Sequence, residues 1–586
     1  MLVTADPSEA VDRIELRVAG DASGTLQDLI GANSVLKGLE GRRDALPEEI
    51  IAAARSDYAR ILEVLYAEGY YSVVVNILLD GREAALIDPL NPPARMGGAV
   101  IAVDPGRLFR FGKLRLAPLA RGNPMPGVFA PDAPASATVV RDVAQAGVRD
   151  WREAGYAKAR ISQQAVTARH GLALLDVDLA IAPGPRVRFG DTVVTGETKV
   201  RERNIRRIAG LPSGAVYSPE VAEKAGARLR KTGAFKSVQV IEAEQVAPDG
   251  RMDVNIAVVD QKPRRIGGGV EFSSFDGVTV SGYWLHRNLL GGAERFRVDA
   301  EIAQIDNTAN GIDYSLTFRL EKPAVYGPDT LFFAEAGAYY LDEPDFLEEK
   351  AELTFGVSRM FNDRLSGELG IGFNFLRITD RYAVPETTRE LRVVSFPTAL
   401  TFDTRDDPLN AGQGVYLRAD LAPFFETTQS QAALHLKVDG RTYRRLGGSG
   451  TTVAAGRVQL GALFGLSATS APPEALFYSG GGGTVRGQPY KSLAADYGGV
   501  TLGGRSFAAL SGELRFPVSR RFGLVAFADA GFVSGGLFDN GDWHAGAGLG
   551  VRYRTPVGPI RFDVAGPVAG STGSGVQFYV GIGQAF

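Results

Sequence analysis

The sequence predicts two architectures in one chain: small α+β modules in tandem, then an all-β transmembrane barrel of about sixteen antiparallel strands. Three observations carry this. Helical and strand patterns mix up to about residue 262 and give way to strand patterns alone after it. In the first part, Pro105 and Pro183 stand 78 residues apart in matching contexts, and so do Gly155 and Gly233, as tandem repeats require. From Ile266 onward, apolar and polar residues alternate with period two, the pattern of a sheet with one apolar face.

The chain has 586 residues, with 64 Lys and Arg against 67 Asp and Glu, four His and no Cys. A net charge of −3 lacks the basic footprint of a general nucleic-acid binder. The missing thiols exclude disulfides, thiolate zinc sites, iron–sulfur clusters and cysteine nucleophiles. Mean hydropathy is −0.03, and no apolar run approaches the ~18 residues of a spanning helix. Asp6, Glu9, Asp12, Arg13 and Glu15 occupy the region where a secretory signal needs an apolar stretch. This stretch is no signal peptide, and the location argued below implies that one has been removed.

Three modules of βααββ type are predicted, at 10–103, 104–185 and 186–262. The helical pattern Pro47 to Glu68 ends at Gly69-Tyr70-Tyr71 and leads into the apolar strand Val73 to Leu79. Gly155-Tyr156 and Gly233-Ala234-Phe235 close the helical patterns Val140 to Ala154 and Pro219 to Thr232 in the same way, with glycine as the left-handed cap. Asp104-Pro105-Gly106 through Arg110-Phe111-Gly112 returns as Ala182-Pro183-Gly184 through Arg188-Phe189-Gly190.

Residues 263–586 form the predicted barrel. Phe296, Val298, Ala300 and Ile302 alternate with charged neighbours, and so do Ile312, Tyr314, Leu316, Phe318 and Leu320. A hairpin is predicted at Ala351 to Phe375 about the turn Phe361-Asn362-Asp363-Arg364, whereas Thr379 to Glu390 is expected as a long polar loop. Short turns on one side, long loops on the other, and aromatic residues near strand ends (Trp284, Tyr339, Tyr340, Tyr579) describe a barrel in lipid. Such a barrel belongs in a bacterial-type outer membrane, with the modules in the periplasm.

Four motifs then resemble one family, the outer-membrane assembly superfamily that includes BamA and TamA, with polypeptide-transport-associated (POTRA) repeats ahead of a sixteen-stranded barrel. Phe402-Asp403-Thr404-Arg405-Asp406-Asp407-Pro408-Leu409 with Gly412 and Gly414 resembles its mid-barrel turn, in which Asp403, Arg405, Asp406 and Pro408 carry the likeness. Gly480 to Gly483 with Val485-Arg486-Gly487 resembles the tip of the long loop that folds into the lumen, and Phe527-Ala528-Asp529-Ala530-Gly531 the strand that receives it. Gly548 to Tyr553, Pro556 to Asp563 and Gln577 to Gly583 resemble the end of TamA-like members. The chain departs from the family at the tip: Gln488 and Pro489 precede Tyr490, which is expected to take the place of the family's aromatic.

The resemblance implies a latch. An arginine carried into a lumen needs carboxylates, and Arg486 is expected on Asp529 and Glu513. Both lie in strands whose neighbours, Leu510, Gly512, Leu514 and Phe516, and Phe527 and Ala530, are read as facing out. The first strand opens with Gly267-Gly268-Gly269 and the last carries Gly575, Gly581 and Gly583. Glycine gives no cross-strand contact, so this joint is the expected lateral gate, where a client strand could pair. Alternatively, the glycines serve only curvature. Phe578, Val580, Ile582 and Phe586 form the expected terminal signal.

No cofactor or metal is expected: His170, His286, His435 and His544 lie in separate segments without ligand spacing, and no nucleophile–base signature suggests an enzyme. The Gly480–Gly487 run lacks the Gly-Lys-Ser order of a phosphate cradle. The resemblance implies an insertase of the translocation and assembly module, aiding autotransporters and other β-barrel clients. It also implies a TamB-like, inner-membrane-anchored periplasmic partner on the first module. The alternatives are a two-partner secretion exporter, a BamA-type general assembly factor, and a barrel lipase. Lipid and client proteins are the other expected partners, and nucleic acid is not.

Overall fold

The computed structural model describes the whole chain except residues 1–12, 22–23, 43–44, 94–95, 121–126, 274–276, 306–310, 344, 384, 448–451, 520 and 556–557. The motif residues Pro556 and Val557 lie outside the described residues. Two compact units emerge: Met1–Asp191 with Pro212–Ala222 and Glu242–Val254, and Thr192–Leu211 with Glu223–Ile241 and Asn255–Phe586. The division runs through the third module.

The first sheet has the order β1-β4-β2-β3, from β1 (Arg13–Val18), β2 (Val74–Leu79), β3 (Arg82–Glu83) and β4 (Gly98–Asp104). It carries α1 (Thr25–Asn33) and α2 (Pro47–Ala67), whose buried Ile30, Ile51, Ile61 and Leu65 pack with Ile14, Ile77 and Ile101. Pro47 opens α2 at a position where no helical N–H is needed. The second sheet, β5-β7-β6, comprises β5 (Arg110–Ala117), β6 (Arg160–Arg169) and β7 (Leu174–Ala182) under α3 (Ala137–Glu153). The Ser136 hydroxyl caps α3 by accepting from Thr138 and Val139 N–H. Among the described residues this module carries one α-helix, α3, and residues 121–126, between β5 and α3, lie outside them. The third sheet, β8-β10-β9, comprises β8 (Arg188–Glu197), β9 (Phe235–Glu242) and β10 (Arg251–Asp260), with α4 (Glu202–Ala209) and α5 (Pro219–Lys231).

The repeated passage from a glycine-capped helix to the Arg-Phe-Gly strand has a backbone cause. Gly69 and Gly155 take φ of +93° and +98° after their helices. Their carbonyls accept from Phe109 and Val187 N–H, at 2.9 and 2.8 Å, where the next sheet begins. Phe111 and Phe189 then donate to Ala133 and Ala215 and bury their rings completely.

Within the second unit, one sheet holds β11 (Arg264–Ser273), β12 (Gly277–His286), β13 (Arg295–Ile305), β14 (Asp313–Pro323), β15 (Thr330–Asp342), β16 (Phe346–Met360), β17 (Leu365–Asp380), β18 (Thr387–Ser395), β19 (Thr398–Asp403), β20 (Gly414–Glu426), β21 (Gln431–Leu446) and β22 (Thr452–Phe464). After a connection containing the short pair β23 (Ala495–Asp496) and β24 (Thr501–Leu502), it continues with β25 (Ser506–Pro517), β26 (Phe522–Ser534), β27 (Asp542–Thr555), β28 (Gly558–Ala569) and β29 (Gln577–Ile582). Among the described residues the sheet has 17 strands, antiparallel throughout and arranged in chain order. β18 and β19 both pair with β17 and with β20. They are halves of one stave, broken where Pro397 has no N–H to give, so the wall has sixteen staves.

The pleat sorts the side chains. Ile302, Tyr314, Leu316, Phe318, Leu353, Val458 and Leu524 are exposed on the outer face. The inner face carries charge in pairs two residues apart: Arg297 with Asp299, Arg319 with Glu321, Arg418 with Asp420, and Arg441 with Asp439. Arg319 also reaches Glu335 at 2.6 Å, and Arg457 reaches Asp439 at 2.8 Å.

Several expectations need correction. The hairpin strands β17 and β18 pair out to Asp380 and Thr387, so only residues 381–386 connect them and no long loop spans Thr379 to Glu390. The expected asymmetry of the mouths is concentrated in one connection, residues 465–505. Tyr340 does stand outward, edge to face with Tyr314. Tyr339 instead turns inward, where its hydroxyl donates to Glu352 and Lys350 lies over its ring.

The third module's helices share a core with barrel turns: Ile205, Ile208, Ala225 and Leu229 pack with Ala293 and Ala324. Arg228 holds Asp329 through two bonds of 2.7 and 2.8 Å, and Arg201 donates to the Leu290 and Gly291 carbonyls.

Candidate functional site in the barrel lumen

Residues 465–505 leave β22 and fold inward. They meet inner side chains on opposite walls. Lys350 binds Glu474 and Arg389 donates to the Ala471 carbonyl on one side; Arg486 meets β25, β26 and β28 on the other. The sheet therefore wraps around this loop.

Arg486 is 2% exposed. Its Nε and Nη2 donate to Asp529 Oδ2 and Oδ1 at 2.7 and 3.0 Å, and its backbone N–H adds a bond of 3.1 Å to Oδ2. Nη1 donates to Glu513 Oε1 at 2.6 Å and lies 3.5 Å from Asp563 Oδ2. The guanidinium sits 3.6 Å over the centre of the Phe527 ring, where a cation gains from the π face. Thus Arg486, Asp529 and Glu513 come together as the sequence suggests. Phe527 corrects that reading: it is two residues from Asp529, shares its face and is 5% exposed, forming the floor under the arginine.

Two further guanidinium groups pair with these carboxylates. Arg515 binds Glu513 at 2.8 Å, and Arg552 binds Asp563. Three buried carboxylates face three buried guanidinium groups, and isolated burial of any one of them would be costly. Arg552 and Asp563 lie in the C-terminal motifs but were not read as part of the latch, and Arg515 was not singled out in the sequence. The signal that points to this wall is the row Gly546, Gly548 and Gly550, at period two on the inner face of β27. A Cβ at Gly546 would stand 1.9 Å from the Arg486 carbonyl oxygen, one at Gly548 2.6 Å from the Phe527 ring, and one at Gly550 2.0 Å from Asp563. The row is a groove cut to the shape of the loop tip.

Residues 288–586 match the family model described as the Omp85 superfamily domain, and residues 187–261 match POTRA, the surface antigen variable number repeat. The chain belongs to the Omp85 superfamily. Similar curated proteins include a SAM50-like protein of Schizosaccharomyces pombe, 26% identical over 66% of this chain and 89% of that protein. Another is the outer membrane protein assembly factor BamA of Nitratidesulfovibrio vulgaris, 23% identical over 71% of this chain but 53% of that protein. The chain thus spans about half the length of that bacterial relative. Among solved structures, BamA from Haemophilus ducreyi lacking POTRA domains 1–3 aligns with a TM-score of 0.62 at 14% identity, covering 80% of this chain and 99% of the other. CdiB from Acinetobacter baumannii aligns with a TM-score of 0.50 at 10% identity, covering 81% and 89%. These likenesses concern the fold.

In this Omp85 loop tip the buried stretch runs from Val485 to Gln488. Val485 is fully enclosed against Gly531. Gly487, at φ +90°, donates its N–H to the Tyr579 hydroxyl at 2.9 Å. Tyr579 therefore faces the lumen from β29, not the lipid edge expected of it. Tyr490 is 48% exposed and does not fill a buried aromatic site; the fully buried residue after Gly487 is Gln488. His544 Nε2 meets Ser479 Oγ at 2.8 Å and its Nδ1 meets Thr572 Oγ1 at 2.7 Å. This resembles a nucleophile–base–orienter set. Ser479 and His544 are both 0% exposed, so the set anchors the loop where no substrate reaches the hydroxyl.

The mid-barrel turn of this Omp85 chain is braced from within. Arg405 binds Asp403 by two bonds, donates to the Pro408 carbonyl and covers Tyr416 at 4.5 Å. Asp406 accepts from Asp407, Gly412 and Gln413 N–H and pairs with Arg445 at 2.8 Å. Residues 583–586 come to this turn. Gly583, at φ +90°, leaves the wall, Gln584 N–H donates to the Leu409 carbonyl, and Arg515 donates to the Phe586 carbonyl at 3.0 Å. Phe586 is buried with Ala411, Tyr443 and Ala455. Its ring accordingly does not continue the outward row of Phe578 and Val580, which are 53% and 56% exposed. Ile582 pairs with Ile560, and its side chain lies outside the described residues.

At the joint between first and last strands, β29 makes a ladder of six pairs with β28, and β11 pairs with β12. Among the described residues no ladder joins β11 to β29. Gly581 lies within β29, whereas Gly575 precedes the strand and Gly583 follows it. Gly267 makes room for the Tyr283 ring, 2.4 Å from where its Cβ would be, while Gly268 and Gly269 face Ser281. Packing against Tyr283 thus accounts for Gly267, and glycine alone does not define the joint. Among the described residues no group of His, Cys, Asp or Glu is arranged to hold a metal ion.

Proposed function

We propose that this chain is a TamA-like outer-membrane insertase, which opens its wall between β11 and β29 so that client β-strands pair at the free edge and pass sideways into lipid. The observation that carries this reading is the joint itself, where β29 has six residues, the chain turns inward at Gly583, and no ladder to β11 is formed among the described residues. Exposed backbone donors and acceptors at such an edge template an incoming strand. The exposed apolar outer face and the Omp85 membership support the outer membrane as its site, with the POTRA modules in the periplasm. BamA relatives support assembly of barrel proteins as the process. The autotransporter preference and a TamB-like partner on the first module extend the resemblance of the C-terminal motifs. A lumen-threading exporter is less favoured, since Arg486 and its partners hold the loop across the lumen.

The Cys-free chain allows a direct test. One cysteine among Gly267 to Gly269 and one at Tyr579 to Gly581, in a register where Cα atoms approach within ~6 Å, should form a disulfide across the joint. Oxidised protein is expected to lose client insertion in liposomes and regain it on reduction, while a staple between β20 and β21 has no effect. Full insertion by the oxidised staple would overturn the lateral route.

A further inference from the structure

Gln488 is the point at which this chain departs from its family's loop tip, and its surroundings give it a task. It is 0% exposed. Its side-chain amide nitrogen donates to the Ala545 carbonyl at 2.8 Å and the Ala569 carbonyl at 3.1 Å, and its Oε1 accepts from Thr572 Oγ1 at 3.0 Å. Ala545 ends one segment of the β27–β28 ladder. The register slips there, so that Ala545 faces Ala569 but Gly546 faces Pro567. The extra residue, Val568, stands outward at 65% exposure, and Pro567 brings no N–H to this stretch of the ladder. The Gln488 amide supplies donors where the strands cannot. The adjoining backbone is equally close, since a Cβ at Gly487 would meet the Gly566 carbonyl oxygen at 2.5 Å.

These bonds reach past the arginine latch. Asp529 and Glu513 hold the loop to β26 and β25, deep in the wall. Gln488, with the Gly487 N–H on Tyr579, holds the opposite side of the tip to the 570–576 connection and to β29. One loop tip therefore grips both the fixed wall and the strand that borders the joint.

We propose that Gln488 is a positioning residue that ties the movement of β29 to the seating of the lumen loop. While the tip is seated, the last hairpin is pinned from inside, and withdrawal of the tip releases it toward an incoming strand. This rests on the lateral route argued above for its functional meaning, but the coupling itself is a property of the folded chain.

The test uses the full chain in lipid nanodiscs and hydrogen exchange resolved by segment. Gln488→Leu keeps the volume and removes the amide. Exchange in residues 570–583 is expected to rise roughly tenfold or more, as loss of two or three buried bonds allows, while β25 and β26 stay as in the parent. Thr572→Val, which leaves Gln488 in place, is expected to give a smaller rise in the same segment. The double variant should not exceed Gln488→Leu alone, because both substitutions break one network. Unchanged exchange at 570–583 in a folded Gln488→Leu or Thr572→Val protein would overturn the proposal, as would a uniform rise over the whole barrel. If exchange rises locally yet the oxidised staple inserts clients normally, the coupling stands and the lateral route falls.

Discussion

Arg486 is held by three carboxylates, and the cost of losing it follows from what it leaves behind. Arg486→Ala strands Asp529 and Glu513 in a buried wall, and removal of one partner from such a cluster typically costs about 3–5 kcal/mol. The expected result is a barrel that still shows heat-modifiable migration but whose loop 480–490 is cut by added protease, with client insertion reduced. Exchange of the pair, Arg486→Asp with Asp529→Arg, should restore only part, since Glu513 and Asp563 then face a carboxylate. Wild-type protease resistance in Arg486→Ala would remove the latch. The Arg486, Asp529 and Glu513 contact was legible because a motif and a period-two rule both pointed to it. Asp563 and Arg515 were not, since their meeting depends on curvature that brings distant staves to one point. The same rule puts Phe527 on the face of Asp529 and excludes an outward position.

Elements were the most legible level. Helices predicted at Pro47 to Glu68 and Pro219 to Thr232 occur at Pro47–Ala67 and Pro219–Lys231, because proline starts and glycine ends are local signals. What escaped was how strands end. β17 and β18 run through polar residues that resemble a loop, because inner-face positions of a barrel tolerate charge and threonine as readily as loops do. The break at Pro397 needed knowledge of both neighbours. The glycine row of β27 carries an expectation of its own. Gly546→Ala sets a methyl group against the Arg486 carbonyl, and neither backbone can yield without moving. Overpacking of about 1–3 kcal/mol is expected, expressed as a loosened tip: faster cleavage of residues 480–490 with the barrel intact. A loop as resistant as the parent's would mean that the wall yields instead.

At the scale of the molecule, the first two modules are less separable than their repeat suggests. Tyr71 follows the first module's glycine cap, yet its ring meets Phe109 edge to face at 5.4 Å and its hydroxyl donates to the Ala135 carbonyl at 2.7 Å. Tyr71→Ala is expected to cost about 3 kcal/mol and to expose the 69–110 junction to limited proteolysis, leaving barrel migration unchanged. Deletion of residues 1–103 should likewise leave an inserted barrel that fails to capture a periplasm-spanning partner, but with a weakened second module. Loss of barrel assembly would show instead that the first module supports the whole. The paired charges of the inner wall, finally, give the barrel an electrical character. Arg297, Arg319, Arg418 and Arg441 are each neutralised by a carboxylate two residues away, so this stretch of the wall carries little net charge along the bore. A wall neutralised pair by pair holds few mobile counter-ions, so currents through the folded barrel in a planar bilayer are expected to show weak preference between anions and cations, and a strongly selective current would mean that charges outside these pairs set the field of the bore.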